Sequence, residues 1–176
     1  VDSHIGLPVV YHDLDRLEDF EFIPFKRAIE KGADGVMVAH MLLPEIDEDN
    51  PATLSTKIIT DILRDEMGFD GVVITDDMTM GAIATNYDIG DAAVKSVIAG
   101  ADIILVCHDY EKQVEVIEAL KSAVDSGLIS ENELDEHLYR ILNLKQKYLL
   151  DNDKIKSPDV EAINSKIGDL LYKYFR

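Results

Sequence analysis

Three short apolar runs divide the chain: Gly35-Val36-Met37-Val38-Ala39-His40, Gly71-Val72-Val73-Ile74-Thr75-Asp76-Asp77-Met78 and Ile103-Ile104-Leu105-Val106-Cys107. Each ends at polar or ionisable residues: His40, the adjacent carboxylates Asp76 and Asp77, and His108-Asp109. Continuous apolar runs of this length, without alternation, predict strands buried on both faces, as in a parallel sheet covered by helices. Residues 1–13 read as loop, with a short extended piece at Pro8, Val9 and Val10. Residues 14–31 predict a helix with Phe25, Ala28 and Ile29 on its apolar face, Pro24 near the start of a turn and Gly32 as its stop. Asn50-Pro51 predicts a second helix start, with Leu54, Ile58, Ile59, Ile62 and Leu63 on one face and Gly68 closing it.

The same period continues. Asp91 to Ala99 reads as a helix ended by Gly100, and Val114, Ile117, Leu120 and Val124 form a stripe stopped at Gly127. Ser130 and Glu133 make a capping box that opens a helix with Leu134, Leu138, Ile141 and Leu142 on one side. Ser157-Pro158 starts the last helix, with Val160, Ile163, Ile167 and Leu171 inward. The charged stretch from Asp151 to Lys156 reads as an exposed linker.

Strands joined by helix-bearing connections of roughly 30 residues are the size of βαβ units. A weak repeat supports this: Lys31-Gly32-Ala33-Asp34 leads into one strand and Ala99-Gly100-Ala101-Asp102 into another. The fold class is therefore α/β with a parallel sheet and right-handed crossovers. Three parallel strands alone leave two long edges unpaired. A (β/α)8 barrel has eight strands in ~250 residues. The expectation is either a small open α/β domain or the C-terminal part of a TIM barrel, and the start at Val1, without Met, favours the second. Residues 1–150 then form the barrel part, and 151–176 a linker and a helix packing on it.

Charge narrows the partners. The 176 residues carry 35 acidic and 17 basic side chains, a formal net charge of −18. Such a surface repels phosphate backbones and anionic membranes, so neither nucleic acid nor membrane is expected as a partner. No apolar run approaches the ~20 residues that span a bilayer. A single cysteine, Cys107, leaves no internal disulfide and no cysteine metal cluster. No zinc-type histidine spacing, EF-hand loop, dinucleotide fingerprint or P-loop is present, so no metal or cofactor is expected. Compartment stays open between cytoplasmic and exported.

The polar residues at strand ends are the candidates for chemistry, because the C-terminal rim of a parallel sheet is where parallel α/β folds place it. Asp76 fits a nucleophile, a general base or a simple polar turn. Asp77 reads as turned away, holding the loop or tuning its neighbour's charge. In Asp2-Ser3-His4 the carboxylate can fix the imidazole tautomer and leave the other ring nitrogen to move a proton; an incidental surface histidine is the competing reading. His40 and His108 fit either ligand contact or rim polarity. Met78 and Met80 fit a sugar pocket or packing, Cys107 reads as a buried small residue, and His12 and His137 have no visible role.

Taken together, Asp2-Ser3-His4-Ile5-Gly6-Leu7-Pro8, Gly35–His40 and Gly68-Phe69-Asp70-Gly71 through Met80 resemble, in order, the family 3 glycoside hydrolases, in particular their β-N-acetylglucosaminidase branch. The resemblance runs to about Leu150. It implies a (β/α)8 catalytic barrel whose strands six to eight are present here. It further implies Asp76 as nucleophile and His4 as general acid/base with Asp2 its dyad partner; from their own positions at or just after strand ends, His40 and Met80 are expected to be substrate-binding. The Lys-His-Phe-Pro-Gly-His-Gly type of segment that precedes the dyad in such proteins does not occur before Asp2.

The resemblance thus implies a retaining hydrolase that removes terminal β-linked N-acetylglucosamine from cell-wall muropeptides or chitin oligosaccharides. Alternatives are a phosphorylase using phosphate in place of water, and a non-catalytic α/β binding module. Because strands one to five are missing, the chain by itself is expected neither to fold stably nor to turn over substrate. Its expected partners are a GlcNAc-containing saccharide and an N-terminal fragment of the same barrel.

Overall fold

The computed structural model describes residues 2–148 and 157–174. The linker expected at Asp151 to Lys156 lies outside the described residues. Three parallel strands form one sheet in the order β1-β2-β3: Gly35–Val38, Val72–Asp77 and Ile103–Leu105. β1 and β2 pair in simple register from Gly35↔Val72 to Val38↔Thr75. β2 and β3 pair at Ile74↔Ile103 and Asp77↔Leu105, so β2 carries one extra residue between these pairs. Each crossover steps one place in the same direction, and the sheet never reverses its strand order.

The crossover helices pack side by side on the sheet. Thr60 of Lys57–Glu66 donates to the Ala99 carbonyl at the end of Ile89–Ala99, at 2.9 Å. Between them and the strands lie Val38, Ile59, Leu63, Phe69, Val73 and Ala101, all buried. Gly100 closes the second helix with φ 110°. A Cβ there would also lie 2.8 Å from Thr60 Oγ1, so glycine is required on two counts. A second apolar cluster joins Met78, Ile83, Ile89, Ala92 and Val116, seating helix Tyr110–Asp125 against Ile89–Ala99.

Several predicted elements differ in detail. The helix expected over 14–31 is broken: Asp13 caps Leu14–Arg16, a wide turn over Leu17–Glu21 follows, and Ile23–Glu30 completes it. Pro24 has no N–H to extend the first helix, but is harmless in the first turn of the second. Asn50-Pro51 does not start the long helix. Pro51 is extended, a short 3₁₀ turn occupies Ala52–Leu54, and the helix begins at Lys57. Its turns are wide, with Met67 N–H donating to Ile62 O, yet Ile59, Ile62 and Leu63 still point inward.

β1 is not buried on both faces: Met37 is 56% exposed. Phe25 on the neighbouring helix is exposed too. No strand lies beyond β1 among the described residues, and that side of the sheet is uncovered. In the last helix, Val160–Tyr174, the apolar positions Val160, Ile163, Ile167 and Leu171 are all exposed. None of the described helices is long and apolar enough to cross a membrane.

The repeat has a structural meaning. Asp34 and Asp102 both lie at the N-terminal end of the sheet and both hold helix Glu131–Lys147. The Asp102 side chain is completely buried; its Oδ2 accepts from Arg64 at 2.8 Å and from Val73 N–H at 2.7 Å. Its Oδ1 accepts from His137 Nδ1 at 2.8 Å and from Arg140 at 3.0 Å. Asp34 takes the Lys147 ammonium and the Tyr148 hydroxyl. The predicted capping box at Ser130 and Glu133 is present, and it starts this helix where His137 and Arg140 reach Asp102.

Candidate active site

The extra residue of β2 falls where its strand meets the rim, between Ile74 and Asp77. Bulges are common beside functional sites because they re-aim a side chain. Asp76 sits at this bulged strand end, half-buried, and its Oδ1 accepts the Asp77 N–H at 2.9 Å. No hydrogen bond from the described residues reaches its other oxygen.

Asp77 is the tie between strand ends. Its carboxylate accepts from Thr79 N–H at 3.0 Å, Thr79 Oγ1 at 2.7 Å, Cys107 N–H at 3.1 Å and His108 Nδ1 at 3.4 Å. Burial alone would raise its pKa, but the hydrogen bonds from Thr79, Cys107 and His108 outweigh it and hold it at about 2. A carboxylate whose pKa is depressed on folding stabilises the fold above its unfolded pKa, and loses that contribution as pH falls through its folded value. The stability difference between the native sequence and Asp77→Asn is therefore expected to be full above pH about 4 and to vanish towards pH about 2. Denaturant titrations across that window check this.

His40 was expected among substrate contacts, but the structure encloses it completely. Its Nε2 lies 3.0 Å from the Asp77 carbonyl, which only accepts, so Nε2 carries the proton. Nδ1 then accepts from Thr53 Oγ1 at 2.8 Å. The Thr53 carbonyl accepts in turn from Ser96 Oγ at 2.8 Å. Burial lowers the His40 pKa, favouring the neutral ring. A buried polar chain thus runs from helix Ile89–Ala99 to the backbone beside Asp76, and His40 holds that backbone with no ring atom left to meet a ligand. Met80 is 8% exposed and Met78 fully buried, so both pack beneath the rim here. Cys107, expected to be buried, is exposed; only its backbone N–H joins the site.

Asp2 and His4 form the expected pair. One carboxylate oxygen, Asp2 Oδ1, accepts both the His4 N–H at 3.0 Å and His4 Nδ1 at 2.8 Å. The Asp2 pKa is lowered by the backbone N–H of His4 first and by its ring next. Nδ1 therefore bears the proton, and Nε2 is left to the surroundings; the imidazole is 76% exposed. The loop is fixed by two main-chain bonds to the turn that follows Asp76: Gly81 N–H to His4 O at 3.2 Å and Ala82 N–H to Ser3 O at 3.1 Å. The same rim thus carries a carboxylate and an exposed carboxylate–imidazole pair on loops that touch.

A carboxylate at a parallel-strand end beside a tethered carboxylate–imidazole pair lies at the rim where parallel α/β folds place their ligand contacts. Residues 1–144 match the family described as Glycosyl hydrolase family 3 N terminal domain, and the chain belongs to that family. It is 32% identical over 165 residues to beta-hexosaminidase A of Pseudoalteromonas piscicida, a match covering 84% of this chain and 28% of that protein. Among solved structures it is similar to a family 3 β-N-acetylglucosaminidase from Paenibacillus sp. str. FPU-7, with 45% identity, TM-score 0.87, and coverage of 91% of this chain and 31% of that one. It is also similar to the β-glucoside phosphorylase BglX, with 28% identity, TM-score 0.81, and coverage of 92% and 30%. The chain thus spans about three-tenths of the length of each of these relatives.

Proposed function

We propose that this chain supplies the nucleophile and the general acid/base of a retaining N-acetyl-β-glucosaminidase, as strands six to eight of a (β/α)8 barrel. The observation that carries the reading is the pairing of Asp76, at the bulged end of β2, with the Asp2–His4 dyad on a loop bonded to the next turn. Strand order supports the barrel: crossovers that always step the same way curl a sheet toward closure. The exposed Met37 and Phe25 mark the side on which strands one to five are expected to pack.

In the first step Asp76 attacks the anomeric carbon and forms a glycosyl ester. The bond to the leaving oxygen breaks, and His4 Nε2 delivers its proton to that oxygen. In the second step the now neutral imidazole takes a proton from water, the resulting hydroxide attacks the same carbon, and the Asp76 carboxylate is released. Two inversions give retention. Asp2 holds the tautomer and stabilises the imidazolium. His40 and Asp77 keep the Asp76 backbone fixed from below.

Phosphate competing with water is the second reading, favoured by His4. A neutral imidazole repels an anionic acceptor less than a carboxylate does, and BglX, one of the similar structures, is a phosphorylase.

The assay uses a chimera in which this chain replaces the matching segment of the Paenibacillus enzyme, so that all eight strands are present. Release of 4-nitrophenol from its N-acetyl-β-glucosaminide is expected, with the free sugar as product. Sugar 1-phosphate accumulating in phosphate buffer would establish the phosphorylase instead. No turnover by a folded chimera would overturn both and leave a binding module.

A further inference from the structure

Gly81 carries the seat of the dyad loop. Its φ is ordinary, so backbone freedom does not explain the residue. Space does: a Cβ at this position would lie 2.7 Å from both the His4 and Ile5 carbonyl oxygens and 2.8 Å from the Ile5 carbonyl carbon. These are main-chain atoms, closer than a real Cβ approaches any heavy atom, and backbone has no flexible end to swing away. The same short distance lets the Gly81 N–H reach His4 O and the Ala82 N–H reach Ser3 O.

The two sides of this contact differ in firmness. Beneath Gly81, Met78, Ala82 and Ile83 are completely buried in the second apolar cluster and its surroundings. On the loop side Ile5 is 78% exposed, and the side chains of Asp2 and His4 are mostly exposed as well. A methyl group at position 81 therefore displaces the loop, while the turn that follows Asp76 stays in place. We infer that Gly81 is a positioning residue for proton transfer: it sets where His4 stands relative to the nucleophile without touching substrate itself.

This rests on the proposed roles of Asp76 and His4, and it predicts a signature that general damage lacks. Displacing the acid hurts substrates whose leaving oxygen needs a proton and spares those that leave unaided. In the eight-stranded chimera, Gly81→Ala is expected to lower kcat/KM for an unactivated phenyl or alkyl N-acetyl-β-glucosaminide by roughly 10²-fold or more, the scale of general acid catalysis. For the 2,4-dinitrophenyl glycoside, kcat/KM is expected to stay within about threefold of the parent, because glycosylation there depends on Asp76 alone and needs little acid assistance. That substrate also reports the fold.

Adding Gly81→Ala to His4→Ala is expected to change little, since groups that act as one unit are not additive. An equal loss on both substrates, whether from misfolding or from movement of Asp76, overturns the inference. So does a Gly81→Ala variant that keeps full activity on both. The underlying reading is separable: if His4→Ala itself shows no dependence on leaving group, the assignment of the acid falls, whereas a clear dependence in His4→Ala with none in Gly81→Ala removes only the role of Gly81.

Discussion

Replacing Asp76 with alanine in the eight-stranded chimera is expected to reduce turnover of 4-nitrophenyl N-acetyl-β-glucosaminide on the order of 10⁴- to 10⁶-fold, the span seen when a nucleophile or its partner is removed from a covalent catalyst. The fold should survive. Asp76 is half-buried, and among the described residues its side chain makes one hydrogen bond, from its neighbour's N–H, so truncation removes little that holds the chain. The neighbour is different: Asp77 bridges β2 to the loop after β3. This contrast separates chemistry from architecture within two adjacent residues. Added azide should partly restore Asp76→Ala by occupying the vacated space and attacking the anomeric carbon, giving the glycosyl azide of inverted configuration. Restored turnover with retained configuration, or a loss below about tenfold, would remove Asp76 from the nucleophile's role.

The second large effect is at the opposite end of the sheet. Asp102→Asn keeps the shape of the side chain and removes its charge. Arg64 then remains in a largely desolvated cluster without its counter-ion, Arg140 keeps only the exposed Glu136, and the amide cannot accept from four donors at once. Removing one partner of a buried charged network costs roughly 3–5 kcal/mol. For a chimeric domain of a few hundred residues this corresponds to about 10 °C in melting temperature. Burial acts first to raise the Asp102 pKa, but His137, Val73 N–H and Arg64 outweigh it and the net shift is downward. The stabilisation is therefore present above the unfolded carboxylate pKa near 3.8 and fades as pH falls below it, so native and variant melting curves should converge in acid. A variant melting within about 2 °C of the parent at neutral pH would show that the cluster does not anchor helix Glu131–Lys147.

These two sites illustrate what a sequence reading can reach. The position of Asp76 at a strand end was legible because a β-branched run stops there at a carboxylate. The Asp2–His4 pair was legible because its partners are two residues apart, so its geometry is local. Asp102 was visible only as half of a repeat, since its partners Arg64, His137 and Arg140 are 35 to 38 positions away in sequence. His137 had no apparent role for the same reason. His40 was open between ligand and scaffold, and its complete enclosure by Thr53 and the Asp77 carbonyl depends on contacts no periodicity encodes. Gly81 carries no signal of its own in the sequence. Its meaning lies in atoms from the far end of the chain, and only their distance reveals it.

The local errors have physical causes too. Pro24 and Pro51 each carry a helix-start signature, but only the first has a helix directly after it. Apolar periodicity located the inward face of Lys57–Glu66, where Ile59, Ile62 and Leu63 are buried, but not that of the helix before β1, whose Phe25 is exposed, and it is insensitive to how widely each turn is wound. The apolar runs predicted strands buried on both faces, which holds for most of β2, flanked on both sides, and fails for β1, whose outer edge is open.

The nucleophile can be caught directly. Reacting the chimera with an activated fluorosugar analogue of N-acetylglucosamine, which forms the glycosyl ester faster than water releases it, should raise the intact mass by one sugar. Peptide mapping should then place that mass on the segment from Gly71 to Met80, at Asp76. An adduct on another carboxylate, or substrate turnover with no covalent adduct under any trapping condition, would contradict the proposed retaining mechanism.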